Sequence, residues 1–240
     1  MRIDVWSDNA CPFCYIGKRR LENALSQFEG RDKVEVVFRS FQLDPSAPAH
    51  ATQDVHDMLA AKYGMTREKA VAMNAQLTEQ AKGVDLEFNF DSVQHTNTFD
   101  SHRLSHYAAA KGKGPEMSER LLRAYFTDGH NLADHQELAS MAAEVGLDAA
   151  DVAAMLETDA YADKVRADIA QGERLNVTGV PFFVFNNKYA VSGAQPGPVF
   201  SEVLDTVWAE EHSAPVLQTI GQPKAKAADA EGCDDGSCSI

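Results

Sequence analysis

The sequence Cys11-Pro12-Phe13-Cys14 falls where a short strand hands over to a helix, and few folds place a pair of thiols there. The preceding Ile3-Asp4-Val5-Trp6 is apolar and β-prone, and the segment from Pro12 carries Ile16, Leu21, Ala24 and Leu25 at helical spacing. Pro12 takes the first helical position, where its missing N–H costs nothing. Cys11 then stands among free backbone N–H groups at the positive end of the helix dipole, a setting that favours an anion. Cysteine pKa values in C-x-x-C motifs at helix N-termini fall from about 8.5 to roughly 3.5–7.5. The placement predicts thiol–disulfide exchange: an exposed Cys11 attacks, and Cys14, one turn behind, resolves the mixed disulfide. C-x-x-C also serves as half of a zinc site, but the strand–motif–helix context favours redox chemistry.

With 240 residues, 44% of them hydrophobic, the chain can bury one substantial core, or one core plus an inserted subdomain. A net charge of −14 argues against a nucleic-acid partner and gives no attraction to anionic lipid. No 18-residue apolar run is present, so no membrane-spanning helix is expected. Met1-Arg2-Ile3-Asp4 enters a strand at once and leaves no room for a signal peptide. The expectation is a cytoplasmic protein, where cysteine pairs are more often catalytic or metal-binding than structural.

Strands are expected over residues 2–7 and 34–40, with a helix over 12–28 between them. Residues 42–48, with Asp44-Pro45 and a second proline, read as a linker leaving the sheet. From about 52 to 174 the pattern is helical almost throughout. Asp134 with Glu137 forms a capping box, Asp148 caps the next helix, and Leu121, Leu122, Tyr125 and Phe126 form an apolar stripe. A strand over 181–185, an Asn186-Asn187 turn and a strand over 188–192 follow as a hairpin. An amphipathic helix then carries Phe200, Val203, Leu204 and Val207. This order predicts an α/β, thioredoxin-like fold: residues 1–44 and 175–212 form the sheet domain, 45–174 a helical insertion, and 213–240 a flexible tail.

Pro181 begins a strand whose start would lie beside the Cys11 end of the first helix. A cis peptide at Val180-Pro181 there would present a strand edge able to hold a substrate backbone. Asp4 admits two readings: a buried carboxylate beneath the site that takes the proton of Cys14, or a residue at the strand's solvent edge. Asp8 reads as a loop or capping residue. The tail holds Cys233-Asp234-Asp235-Gly236-Ser237-Cys238, where the aspartates make the thiols poor attackers but plausible disulfide partners. A chance pair, a zinc pair and a static disulfide remain open for them. His102 and His106 lie four apart, but no nearby cysteine or carboxylate completes a metal set, and no metal is expected.

The run Trp6 to Arg19, with Asn97-Thr98-Phe99-Asp100-Ser101-His102-Arg103-Leu104, Gly179-Val180-Pro181-Phe182-Phe183 and Val191-Ser192-Gly193-Ala194-Gln195, resembles the FrnE branch of the DsbA-like oxidoreductases. The resemblance implies a Cys11–Cys14 dithiol, a cis Pro181, a helical insert capping the cleft, and Asn97 and Arg103 on a helix facing the site. It implies that Cys233 and Cys238 form a second redox pair. The middle residues Pro12-Phe13 replace the Pro-His of DsbA itself, which implies a less oxidising couple. The implied activity is a cytosolic protein-disulfide oxidoreductase or isomerase. It needs no cofactor beyond its own disulfide, and its partners are disulfide- or thiol-containing proteins, with glutathione or a thioredoxin-type reductant as candidate co-reactant. The alternative is a glutathione-dependent isomerase or transferase of small aromatic compounds. Relatives of that kind use a single Ser or Cys at the helix start. A zinc-binding, non-enzymatic module is the third reading.

Overall fold

A computed structural model describes residues 1–212, so Cys233 and Cys238 lie outside the described residues. Strands β1 (Arg2–Ser7), β2 (Glu35–Ser40), β3 (Phe182–Phe185) and β4 (Tyr189–Ser192) form one sheet in the order β2-β1-β3-β4. β1 runs parallel to β2 and antiparallel to β3, which pairs antiparallel with β4. Asn186 and Asn187 both adopt left-handed backbone, φ 50° and 55°, at the centre of a turn that the Lys188 N–H closes on the Phe185 carbonyl at 2.9 Å; with Phe185 opposite Tyr189, three residues join the strands.

Alternation along the strands separates two faces. Ile3, Val5, Phe183, Phe185 and Val191 pack with Leu21 of α1 (Pro12–Gln27) and with Phe200, Leu204 and Val207 of α9 (Gly197–His212). Trp6 and Val184 point the other way, toward α8 (Ala162–Arg174). The Trp6 Nε1–H donates to the Asp168 carbonyl at 2.9 Å. A Cβ on Gly172 would come within 3.0 Å of the Trp6 indole, so a residue without a side chain lets α8 lie this close.

The remaining helices are α2 (Val55–Tyr63), α3 (Arg67–Lys82), α4 (Phe99–Ala110), α5 (Gly114–Arg123), α6 (His135–Glu144) and α7 (Ala149–Leu156). Residues 52–174 are not helical almost throughout, because the chain between α3 and α4 runs non-helically. There Leu86, Phe88 and Phe90 point inward at a period of two, as extended backbone dictates. Phe88 packs 4.8 Å from Phe126 and 5.9 Å from Tyr15, ring centre to ring centre, so α1 shares the core of the helical region. Glu119 of α5 strengthens that link, accepting from Tyr15 Oη at 2.6 Å, from Arg19 at 2.8 Å and from the buried Lys18.

The helix caps at Asp134 and Asp148 form, each carboxylate accepting two backbone N–H groups. The capping box at Asp134 is not reciprocal. Glu137 turns instead to the Asn131 N–H (3.0 Å) and to His130 (2.7 Å).

Candidate active site

Cys11 is the N-cap of α1, with extended backbone at φ −101° and ψ 112°. Its Sγ accepts the Cys14 N–H at 3.3 Å and donates to the Val180 carbonyl at 3.5 Å. Pro12 occupies the first turn and Phe13 stands out at 43% exposure. Both sulfurs are unpaired thiols, 3% and 2% exposed, so Cys11 is not the exposed thiol the sequence suggested. It opens instead into a cavity of about 480 Å³, lined by α1's start, α2, α3 and the non-helical segment before α4. Phe13, Leu43 and Tyr63 stand exposed and line the same cavity. Burial pushes the Cys14 thiol well above its ordinary value, and its contact with Cys11 adds to this. The Asp8 N–H and the Ser7 hydroxyl oppose the shift without reversing it.

The Val180–Pro181 peptide is cis. Pro181 is buried against Gly17 of α1, and its carbonyl accepts the Gly193 N–H at 2.8 Å, which ties the start of β3 to the chain leaving β4. Val180 therefore meets the Cys11 sulfur through its carbonyl.

Three expected supporting residues stand elsewhere. Asp4 is buried on the Trp6 side of the sheet, where its oxygens are taken by Arg2 (2.9 and 3.1 Å) and Arg39 (2.8 Å) rather than by Cys14. Neither the proton-shuttle reading nor the solvent-edge reading fits that placement. Asn97 precedes α4 instead of lying on it: its amide donates to the Pro45 and Ala47 carbonyls and accepts the Phe99 N–H, pinning the linker after β2. Arg103 is on α4 but faces away from the cysteines. Its guanidinium donates to the carbonyls of Met155, Leu156, Thr158 and Ala160, closing the end of α7, and to Asp100.

The residues beneath the pair are ones without a part in the chemistry expected from sequence: Asp8, expected as a loop or capping residue, does lie in the loop before α1, and His102 is weighed there only with His106 for a metal. Asp8, 1% exposed, accepts the Cys11 N–H on its carbonyl at 3.1 Å. Its carboxylate accepts the Leu43 N–H at 2.7 Å and lies 3.3 Å from His102 Nε2. Burial pushes that carboxyl up, but His102, the Leu43 N–H and the Thr98 hydroxyl outweigh it and hold it below the usual range. The adjacency of Asp8-Asn9 to the motif was the available signal. His106, four residues on, turns to Asp168 at 3.1 Å and to Ser40 at 3.2 Å, so the two histidines share no metal face.

A strand, a dithiol at a helix start and a cis proline beside it define a thioredoxin-fold thiol protein. The chain belongs to the DSBA-like thioredoxin domain family, whose model matches residues 2–205. YwbO of Bacillus subtilis (strain 168), described as uncharacterized, is 32% identical over 206 residues, 85% of this chain and 96% of its own. Among solved structures, a probable DsbA oxidoreductase of Streptomyces coelicolor, SCO1869, is 42% identical. It superposes at a TM-score of 0.84 over 95% of this chain and 97% of that one. The cytosolic disulfide reductase DsbM of Pseudomonas aeruginosa, solved with GSH, shares the fold at 21% identity and a TM-score of 0.57, over 86% of this chain and 98% of DsbM.

Proposed function

We propose that this chain is a cytoplasmic thiol–disulfide oxidoreductase of the FrnE branch that acts on protein disulfides, with a capacity for isomerisation. Cys11 Sγ, as thiolate, bonds to one sulfur of a substrate disulfide, and the other leaves as thiolate. Cys14 then loses its proton to the departing thiolate and attacks Cys11 Sγ, breaking the mixed disulfide; the second substrate sulfur leaves as thiolate and takes its proton from water. The substrate is released as dithiol and a Cys11–Cys14 disulfide remains, a two-electron transfer. Glutathione or a thioredoxin-type reductant restores the dithiol, and Cys233 with Cys238 relays it. Phe13, Val180 and Pro181 hold the substrate chain, and Pro12 starts the helix that presents Cys11.

The observation that carries this reading is the Cys11 sulfur held between the Cys14 N–H and the Val180 carbonyl, facing a cavity. The cytosolic disulfide reductase DsbM supports the compartment and the co-reactant. In insulin reduction driven by dithiothreitol, Cys11→Ser falls to the uncatalysed rate; an undiminished rate overturns the proposal.

The apolar cavity favours one second reading, a glutathione-dependent isomerase or transferase of a small aromatic compound. Cys14→Ala separates the two: retained turnover of a small aromatic substrate supports isomerase chemistry, since a dithiol exchanger needs its resolving thiol.

No helix of the described residues is long and apolar enough to cross a membrane.

A further inference from the structure

One buried residue meets the redox pair with its main chain and the rest of the protein with its side chain. The Asp8 carbonyl accepts the Cys11 N–H at 3.1 Å, and the Asp8 N–H favours the Cys14 thiolate electrostatically. The carboxylate accepts the Leu43 N–H at 2.7 Å, lies 3.3 Å from His102 Nε2 and turns back to the Ala10 N–H at 3.4 Å. A carboxylate out of water persists only where several donors replace its hydration, so those donors fix the Asp8 backbone as well as its side chain. Asn9 adds a parallel tie, its Nδ2 donating to Ser101 Oγ at 2.9 Å. Ser101 and His102 are neighbours in the first turn of α4, which therefore grips both of these residues just ahead of the motif.

We infer that Asp8, locked in place by His102, is the positioning residue of the redox pair: its main chain aligns Cys11 with Cys14, and α4 sets that alignment. The inference rests on Cys11–Cys14 being an exchanging dithiol. Its direction follows from which redox form depends on the contacts. In the disulfide the S–S bond itself holds the turn. In the dithiol no covalent bond holds the turn, and the seat of the Cys11 sulfur on the Cys14 N–H depends on the Asp8 carbonyl that holds the Cys11 N–H. Loosening Asp8 therefore weakens the reduced form more and shifts the equilibrium toward the disulfide.

The test equilibrates the full-length wild type and its variants in glutathione redox buffers. The state of each thiol is trapped by alkylation and read by peptide mapping, which separates Cys11 and Cys14 from the tail cysteines. Asp8→Ala and His102→Leu shift the equilibrium toward disulfide by about tenfold, the factor that one buried charge-assisted hydrogen bond carries. His102→Gln, whose amide nitrogen takes the Nε2 position, stays close to wild type. Asp8→Asn shifts the same way by less, and decides the matter if circular dichroism shows Asp8→Ala unfolded. Folded Asp8 and His102→Leu variants with an unmoved equilibrium overturn the inference, as does His102→Gln moving as far as His102→Leu. A wild type that exchanges with glutathione in no buffer overturns the exchange reading itself, and the inference with it.

Discussion

Gly17 of α1 lies so close to Pro181 that a Cβ added there would stand 2.9 Å from the ring's Cγ and 3.2 Å from the Phe183 ring. Neither neighbour is the free end of a flexible chain. Gly17→Ala must push the helix that carries both cysteines away from the proline that faces them. We expect a stability loss of roughly 1–3 kcal/mol from overpacking, read by urea unfolding. Insulin reduction by the folded variant should be slower. An alanine accepted without loss of either would mean that the contact between α1 and Pro181 matters to neither.

Arg103 gives the opposite pattern. Its guanidinium satisfies backbone carbonyls at the end of α7, far in chemistry from the thiols. Arg103→Met strands those buried acceptors and should cost roughly 3 kcal/mol or more. The rate of Cys11 alkylation in the folded variant should hold. Normal stability with lost exchange activity would return Arg103 to the site.

The raised Cys14 thiol makes the two cysteines unequal toward iodoacetamide. Burial keeps Cys14 protonated past the pH where an ordinary thiol ionises, and only the thiolate is alkylated. Brief labelling of native, reduced protein near pH 8 should mark Cys11 and spare Cys14, while denaturant exposes both. Equal labelling in the native state would contradict the raised Cys14 thiol.

Acid stability should depend on Asp168. Burial pushes this carboxyl up, but His106, the Ser40 N–H and Arg39 hold it below the ordinary value. A carboxylate with a depressed folded pKa stabilises the protein above its unfolded pKa, near 3.9, and that contribution is lost as pH falls through the folded value. Asp168→Asn should be less stable than wild type at neutral pH, and the gap should close below about pH 4. A gap of constant size down to pH 2 would assign the effect to packing.

The parts of this molecule legible in its sequence are those fixed by near neighbours. Pro12 after Cys11 marks a helix start, Asn186-Asn187 marks a tight hairpin, and Asp134 and Asp148 announce caps, because each acts within four residues of itself. The segment carrying Leu86, Phe88 and Phe90 misleads because it is extended without a ladder, held by Phe126 and Tyr15 rather than by a neighbouring strand. Asp4, Asn97 and Arg103 differ from expectation for a shared reason. Their polar groups are claimed by partners in other elements: Arg39, the linker carbonyls, and the end of α7. The Asp8–His102 contact spans 94 positions, and no local pattern encodes it.

The account turns on Cys11 being the attacking sulfur and Cys14 the resolving one, and trapping tests this most directly. Each single-serine variant of the full-length protein is incubated with a disulfide-bonded substrate, quenched with acid and examined by non-reducing gel and mass spectrometry. Cys14→Ser should accumulate a mixed disulfide through Cys11, and Cys11→Ser should accumulate none through Cys14. A mixed disulfide through Cys14 in Cys11→Ser, with none through Cys11 in Cys14→Ser, would contradict the assignment.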